Sequence, residues 1–474
     1  MLSNIAVNLF SKGLAPRGCW VNNAPCLQNG LVTKRGSLPH SAASSEVSEV
    51  SGMSVSSAMS DVPATAPTLA IRVGLPNEIW GEIASFSSRK DILNLRATSS
   101  AMTVEAEWAV STVKLEGSLE LRAFSDACRF NNIKTLHLVD VDNAGLIYFA
   151  HALTLHPRSD LTIKVENSYW GVAMGLDALS AAPLAKICLD NVFLIESVTD
   201  ALANCTFPIE LTGYYSRDEF VAASRIATLT SLSTSSNEFN DDMAMLFASH
   251  TAVQNLSLCA CASSELTGQG IAHLAAIPSL RTLCISEVLN RVHPITLASA
   301  SALATNETLQ SLDIVSSFEP MLEASFFALS RSQTLQTLSI STCAGMEALA
   351  HMTSLHDLAL SGRCFTSPPI SAPVARAISR MPALRTISFD TVHFEVGALR
   401  IMLIACAATT VRFKHANFEH DDIMALLDNV QARALTLVNV RVMPAHLSLL
   451  LAHPTLQQLT INGVQHKLND ARSR

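Results

Sequence analysis

A short apolar pattern that returns about every 25 residues constrains this chain more than any other feature. Apolar residues at positions i, i+3 and i+5 recur as Ile133/Leu136/Leu138, Leu184/Ile187/Leu189, Val253/Leu256/Leu258, Leu280/Leu283/Ile285 and Leu309/Leu312/Ile314. They continue as Leu335/Leu338/Ile340, Leu355/Leu358/Leu360, Leu384/Ile387/Phe389, Ala432/Leu435/Leu437 and Leu456/Leu459/Ile461, with weaker copies around Ile163, Leu211, Leu232 and Phe413. The last two apolar positions of each copy alternate with period two, which predicts one short strand with both side chains pointing inward. An Ala-rich stretch at helical spacing follows, as in Gly175 to Ser180, Gly270 to Ala275 and Gly345 to Ala350. The glycine lets the chain turn and the small residues let a helix lie close to its neighbour. No single unit can bury its apolar face, so the units must stack.

The expected fold class is therefore α/β: a leucine-rich-repeat solenoid with parallel strands inside and helices outside. Strands should start near residues 135, 186, 255, 282, 311, 337, 357, 386, 410, 434 and 458, roughly fourteen in all, with residues 143–235 the least regular. Composition agrees, since 49% of residues are apolar but only 5% aromatic, which suits thin layers of Leu, Ile, Val and Ala. The longest apolar run in the C-terminal half, Ile401 to Ala408, is far short of the roughly 20 residues of a membrane-spanning helix. No membrane insertion is expected. The formal charge of −8, with 15% charged residues, argues against a nucleic-acid partner, which needs a dense Lys/Arg stripe. Eleven Cys without a C-x-x-C pair form neither a zinc framework nor a disulfide scaffold, and no metal or other cofactor is expected.

The N-terminal segment, up to Ala70, is a different material. From Ser37 to Ser60 serine is by far the commonest residue, and the stretch is too polar to offset the entropy of ordering it. Met1 to Gly36 holds Lys12, Arg17, Lys34 and Arg35 and no acid, with Ile5, Leu9 and Phe10 able to share one helix face. Residues 1–70 are read as a disordered leader, either a type III secretion signal or an organelle transit peptide.

Residues 71–117 are read as a small helical module. Leu75-Pro76 opens a helical pattern with Ile79, Ile83 and Phe86 on one face, and Asp91 is placed as a cap before Ile92, Leu93 and Leu95. This order resembles an F-box, the module that docks the adaptor Skp1 of cullin ubiquitin ligases. The resemblance implies Skp1 contacts from Leu75, Pro76, Ile79, Ile83, Phe86, Ile92, Leu93 and Leu95. Repeats occupy 118–464, and 465–474 form a polar tail. The repeats resemble the GALA effectors of plant-pathogenic bacteria, named for a G-A-x-A-L-A motif that Gly345, Ala348, Leu349 and Ala350 match best. At the position where many leucine-rich repeats carry Asn, this chain has Val141, Val192, Cys261, Val288, Cys343 and Val440, so no asparagine ladder is expected.

Other chemistry-bearing residues carry less. Cys259 and Cys261 have no Lys, Arg or His between Val253 and Ala272 to activate a thiolate, so no catalytic residue is expected. His415, His420, Asp421 and Asp422 match no standard metal spacing, and the two Asp are read as opening a helix with the His solvated. Gly268-Gln269-Gly270 is read as a repeat turn. Concave-face positions beside the strand leucines are small, polar and nearly neutral, and the candidate target-binding residues are Thr282, Ser286, Asp313, Ser339, Asp357, Ser388, Asp390 and Thr460.

Together these readings predict a non-enzymatic substrate adaptor: an F-box that recruits a host Skp1-type partner, and repeats that hold an unidentified target protein. The alternative is a repeat scaffold or inhibitor that binds a partner with no ubiquitin link. Delivery into a host cell by a type III system follows from the effector resemblance, with an organelle-targeted intracellular protein as the other possibility.

Overall fold

The computed structural model describes residues 112–116 and 133–468, apart from 168–171, 260–265, 289–294, 317–319, 364–365, 417, 419, 430 and 467. All of them belong to the unit Val73–Arg474. The leader and the proposed Skp1 contacts, Leu75 to Leu95, lie outside the described residues.

One sheet of sixteen strands runs in strict sequence order. Its first half is β1 (Thr112–Glu116), β2 (Thr135–Val139), β3 (Thr162–Glu166), β4 (Lys186–Asp190), β5 (Ile209–Gly213), β6 (Leu229–Thr234), β7 (Asn255–Cys259) and β8 (Thr282–Val288). The second is β9 (Ser311–Ser316), β10 (Thr337–Ser341), β11 (Asp357–Ser361), β12 (Thr386–Asp390), β13 (Thr410–Lys414), β14 (Ala434–Val438), β15 (Gln458–Ile461) and β16 (Val464–His466). Strands β1 to β15 pair in parallel, each joined to the next by a connection that usually contains one helix. Strands need about 4.8 Å of lateral room and packed helices 8–10 Å, so the stack curves with the sheet on its inner face. This is a leucine-rich-repeat solenoid.

Every expected strand start is occupied, and the weaker copies form strands as well: Ile163 lies in β3, Leu211 in β5, Leu232 in β6 and Phe413 in β13. The segment 143–235 is accordingly more regular than its sequence suggested. Its one register irregularity is a bulge opposite Ile209 and Glu210, where β6 carries an extra residue. Consequently the third residue of β4 continues laterally into the first of β7, through Cys188, Glu210, Ser231 and Asn255. A two-residue step preserves the in–out alternation, so the core is not interrupted.

The sheet exceeds the repeat boundaries expected from sequence at both ends. Thr112–Glu116, assigned to the helical module, is already a strand paired with β2. Gln465 and His466, assigned to the polar tail, belong to β16, which runs antiparallel to β15. Asn462 (φ 51°) and Gly463 (φ 84°) make the reversal, since both tolerate left-handed backbone.

The layer between sheet and helices is a continuous column of aliphatic side chains. Leu283, Leu312, Leu338, Leu358 and Ile387 are adjacent in register and at most 1% exposed. Val141, Val192, Cys343 and Val440 are buried in place of an asparagine ladder. The polar work between repeats is done elsewhere, just before the strands. Ser279, Thr308, Thr334, Ser354 and Thr455 each donate a hydroxyl to a carbonyl of the preceding repeat, from Val253, Pro278 and Leu280, Asn306, Leu335 and Ala432 respectively. Buried Asn306 donates to Ala275 and Ile277 carbonyls and accepts from the amides of Thr308 and Leu309. Such groups satisfy backbone that stacking would otherwise leave unpaired.

Seven non-glycine residues with positive φ follow a strand directly: Asp140, Asn167, Asn191, Thr391, His415, Asn439 and Asn462. Five of these left-handed steps aim the next residue inward, as the burial of Val141, Val192, Val392, Ala416 and Val440 shows. Asn and Asp accept this conformation most readily.

Two glycine readings change. Gly268 and Gly270 lie inside the helix Gly268–Ala275 rather than in a turn. A Cβ on Gly270 would come within 2.2 Å of Asp241 Oδ1, the carboxylate oxygen that accepts from the Gly270 amide. Gly345, the best motif match, has φ 77° and opens a 3-10 helix, Met346–His351, in place of an α-helix. Its repeat is as short as the one from β5 to β6, which nonetheless carries the α-helix Arg217–Ala223, so length alone does not select the 3-10 form.

Candidate functional site

Strand residues alternate between the core and the concave face, and the concave set forms one continuous surface along the sheet. The row through its centre runs Asp190, Thr212, Ser233, Ser257, Cys284, Asp313, Ser339, Ala359, Ser388, Arg412, Thr436 and Thr460. All eight candidate target-binding residues point to this face. Asp313, Ser339, Ser388 and Thr460 share the central row, Thr282 and Asp357 flank it on one side, and Ser286 and Asp390 on the other.

From β7 to β11 the face is short and polar, as expected. Its acids are Asp313 and, in the flanking row, Asp357; burial pushes the Asp313 carboxyl above the ordinary aspartate range against hydrogen bonds from Ser339 and Cys284. Cys284 is itself pushed up by its hydrogen bond to Cys259, by burial and by Asp313. Cys259 is shifted the other way: the hydrogen bond from Cys284, with those of Ser257, whose Oγ lies at 3.4 Å, and Ser286, holds its thiol below the ordinary cysteine range against burial and Asp313.

The near-neutral character does not extend to β2–β5, where the face carries a charged lattice that the irregular repeats concealed. His137 donates to Glu166, Lys164 Nζ sits 3.6 Å from Glu166 and 3.3 Å from Asp190, and Lys186 Nζ is 2.9 Å from Glu210. Burial opposes ionisation of Glu166, but the His137 hydrogen bond and Lys164 outweigh it and hold its carboxyl low. Cys188 donates to Glu210 at 3.1 Å, and burial together with that carboxylate pushes its thiol up to about 12. Cations and acids on these strands are matched nearly one to one.

A second charged group lies at the end of β12 and β13. Asp390 accepts from Arg363 Nη2 at 2.6 Å and from Thr391 Oγ1 and His415 Nδ1 at 3.0 Å, with Lys414 Nζ at 3.5 Å. Burial works against its ionised form, and the His415 hydrogen bond with Arg363 and Lys414 overcomes it, so the carboxyl titrates below the ordinary range. A depressed folded-state pKa stabilises above the unfolded value, about 3.9, and the stabilisation disappears as pH falls through the folded value. Asp390→Asn should therefore cost about 1 kcal/mol at pH 7 and flatten part of the stability loss between pH 4 and 2. Urea melts of both proteins across that range check this; parallel stability–pH curves would show that Asp390 is not linked to folding.

His415 and His420 are engaged rather than solvated. His415 Nε2 accepts from Asn439 Nδ2 at 2.8 Å, which leaves the ring proton on Nδ1 facing Asp390. His420 Nδ1 lies 3.1 Å from Nε2 of buried His446. Asp421 and Asp422 do open the helix His420–Asp428. Among the described residues no group of three or more His, Cys, Asp and Glu is placed to hold a metal ion, and no helix is long and apolar enough to cross a membrane. A recess of about 290 Å³ near Gln310, Gln333, Gln336 and His356 is lined mainly by amides and hydroxyls. Its volume lies at the lower edge of the range of small-molecule sites.

No known family matches the sequence, and no curated protein does. Among solved structures, a chain from the crystal structure of a TLR13-ssRNA13 complex is similar at 16% identity and a TM-score of 0.41, over 75% of this chain and 53% of that one. The present chain thus spans about half the length of that neighbour. The repeat class itself is established by the strand register and burial described above.

Proposed function

We propose that this protein is a non-enzymatic adaptor whose concave face holds a target protein and whose F-box-like segment joins that target to a Skp1–cullin ubiquitin ligase. The observation that carries the first half is the continuous concave face of fifteen parallel strands, short and polar from β7 to β11 and charged on either side. Solenoids of this kind bind partners over extended concave surfaces, because each repeat adds one more row of side chains to the same face. The second half is supported by the sequence order Leu75-Pro76, Ile79, Ile83, Phe86, Ile92, Leu93 and Leu95 ahead of the repeats. Delivery into a host cell by residues 1–70 belongs to the same proposal.

Aliphatic anchors at interface centres typically contribute more than about 1 kcal/mol each. Leu75→Ala with Pro76→Ala should then weaken Skp1 binding by about 2–4 kcal/mol, roughly thirtyfold to nearly a thousandfold, with the melting curve unchanged. Titration of purified Skp1 against wild type and double variant measures this. Absence of wild-type binding at tens of micromolar sinks the ligase link and leaves a plain repeat scaffold or inhibitor; equal binding by both proteins moves the contact elsewhere.

A further inference from the structure

Charge on the concave face is matched in one half and unmatched in the other. We propose that the concave face over β11–β14 docks an acidic segment of a partner protein, whose carboxylates are taken up by Arg412 and Lys414. This deepens the reading of the concave face as the target-holding surface and rests on it.

Three permanent cations, Arg363, Arg412 and Lys414, share this part of the face with Asp390. Arg363 makes the close contact with Asp390, at 2.6 Å, while Lys414 stands off at 3.5 Å with its side chain 39% exposed. Lys414 can therefore swing to a second anion without leaving Asp390 uncompensated. Arg412 has no carboxylate in reach among the described residues and is exposed. Its lateral neighbours in the central row are Ser388 and Thr436, about 4.8 Å to either side, so nothing tall screens its guanidinium. Asp357 is the other acid on this part of the face, two strands away and in the flanking row.

The matched half gives the contrast. There Lys164 and Lys186 are each in contact with one or two carboxylates, and an incoming anion would have to displace them. Over β11–β14 an anion meets positive charge already in place. The geometry also favours an extended peptide over a nucleic acid. Arg412 and Lys414 are two residues apart on one strand, about 6.6 Å, the repeat of alternate side chains on an extended chain. The concave positions from β7 to β15 include no Phe, Tyr or Trp on which a base could stack, and the cations are too few to follow a phosphate backbone.

The test uses the full chain and fluorescein-labelled peptides of glutamate, glutamine or lysine, ten residues each, with a thymidine decamer as the nucleic-acid arm. In low salt the glutamate peptide should bind, the glutamine and lysine peptides should bind at least about tenfold more weakly, and added salt should weaken the glutamate complex. Arg412→Gln with Lys414→Gln should cost about tenfold in affinity for the glutamate peptide without moving the melting temperature. Arg281→Gln, an exposed arginine just ahead of β8, should leave binding unchanged. Equal binding of the glutamate and glutamine peptides, an unaffected double variant, or equal binding of the thymidine decamer would overturn the proposal. Ser339→Trp, which obstructs the neutral part of the face, separates this from the broader reading when the cellular target is assayed. If the peptide arm fails while Ser339→Trp abolishes target binding, the acidic partner falls and the concave reading stands. If Ser339→Trp and the double variant both leave target binding intact, the concave reading falls with it.

Discussion

Leu312→Asp should melt the centre of the solenoid. Leu312 is fully buried and sits in register between Leu283 and Leu338, with aliphatic neighbours on both sides and no cation in the layer. A carboxylate there has no partner and must either stay ionised in an apolar layer or take up a proton, and either course costs several kcal/mol. Total stabilities of about 5–15 kcal/mol leave little margin for that loss. Because each repeat touches only its neighbours, the damage should divide the array instead of abolishing it. Urea unfolding followed by circular dichroism should change from one transition to two, the weaker one reporting the repeats around β9. Leu312→Met, which keeps the volume, should cost less than about 1.5 kcal/mol. A single wild-type-like transition for Leu312→Asp would contradict the burial of this column.

Phe413→Ala should be nearly as damaging, at about 3–5 kcal/mol. Phe413 is fully buried, stacked on Phe389 at 5.1 Å and 20°, with the ring of Phe418 edge-on at 4.8 Å and that of Phe394 at 6.4 Å. Its removal opens a ring-sized cavity between β12 and β13, and the surrounding rings cannot all close it. Arg412 and Lys414 flank this residue on the opposite face of β13, so glutamate-peptide binding should weaken along with stability. A chevron or equilibrium urea titration gives the cost; a loss below about 1 kcal/mol would mean that the cluster repacks.

Much of this architecture was legible because strand alternation is local. Two apolar positions separated by one polar residue, recurring once per repeat, place the inward leucines of β7 to β12 on the core side whatever the connections do. The polar residues beside them then face outward, and Thr282, Ser339, Ser388 and Thr460 are found on the concave face for that reason. The charged lattice of β2–β5 was not legible, although Lys164, Glu166, Lys186, Asp190 and Glu210 are plain in the sequence. Each ion pair there joins residues on the same or adjacent strands, so which charges meet depends on the register between neighbouring strands, which the repeat pattern does not encode. Gly345 illustrates the same limit at a helix. Its motif announces a turn and a close approach, but not that the helix it opens is 3-10 and not α.

The sequence by itself determined the repeat class, the order and direction of β2 to β15, the residues that fill the core and the residues that face the concave surface. Each of these follows from side-chain periodicity within a single unit and from the need of every unit to bury its apolar face on the next. Tertiary structure alone decided which charges meet, where left-handed Asn, Asp and His residues turn the chain inward, and which hydroxyls and amides satisfy carbonyls of the preceding repeat. Most of those contacts join residues that lie one repeat apart in the chain, so they depend on the register between stacked units and not on any pattern within one.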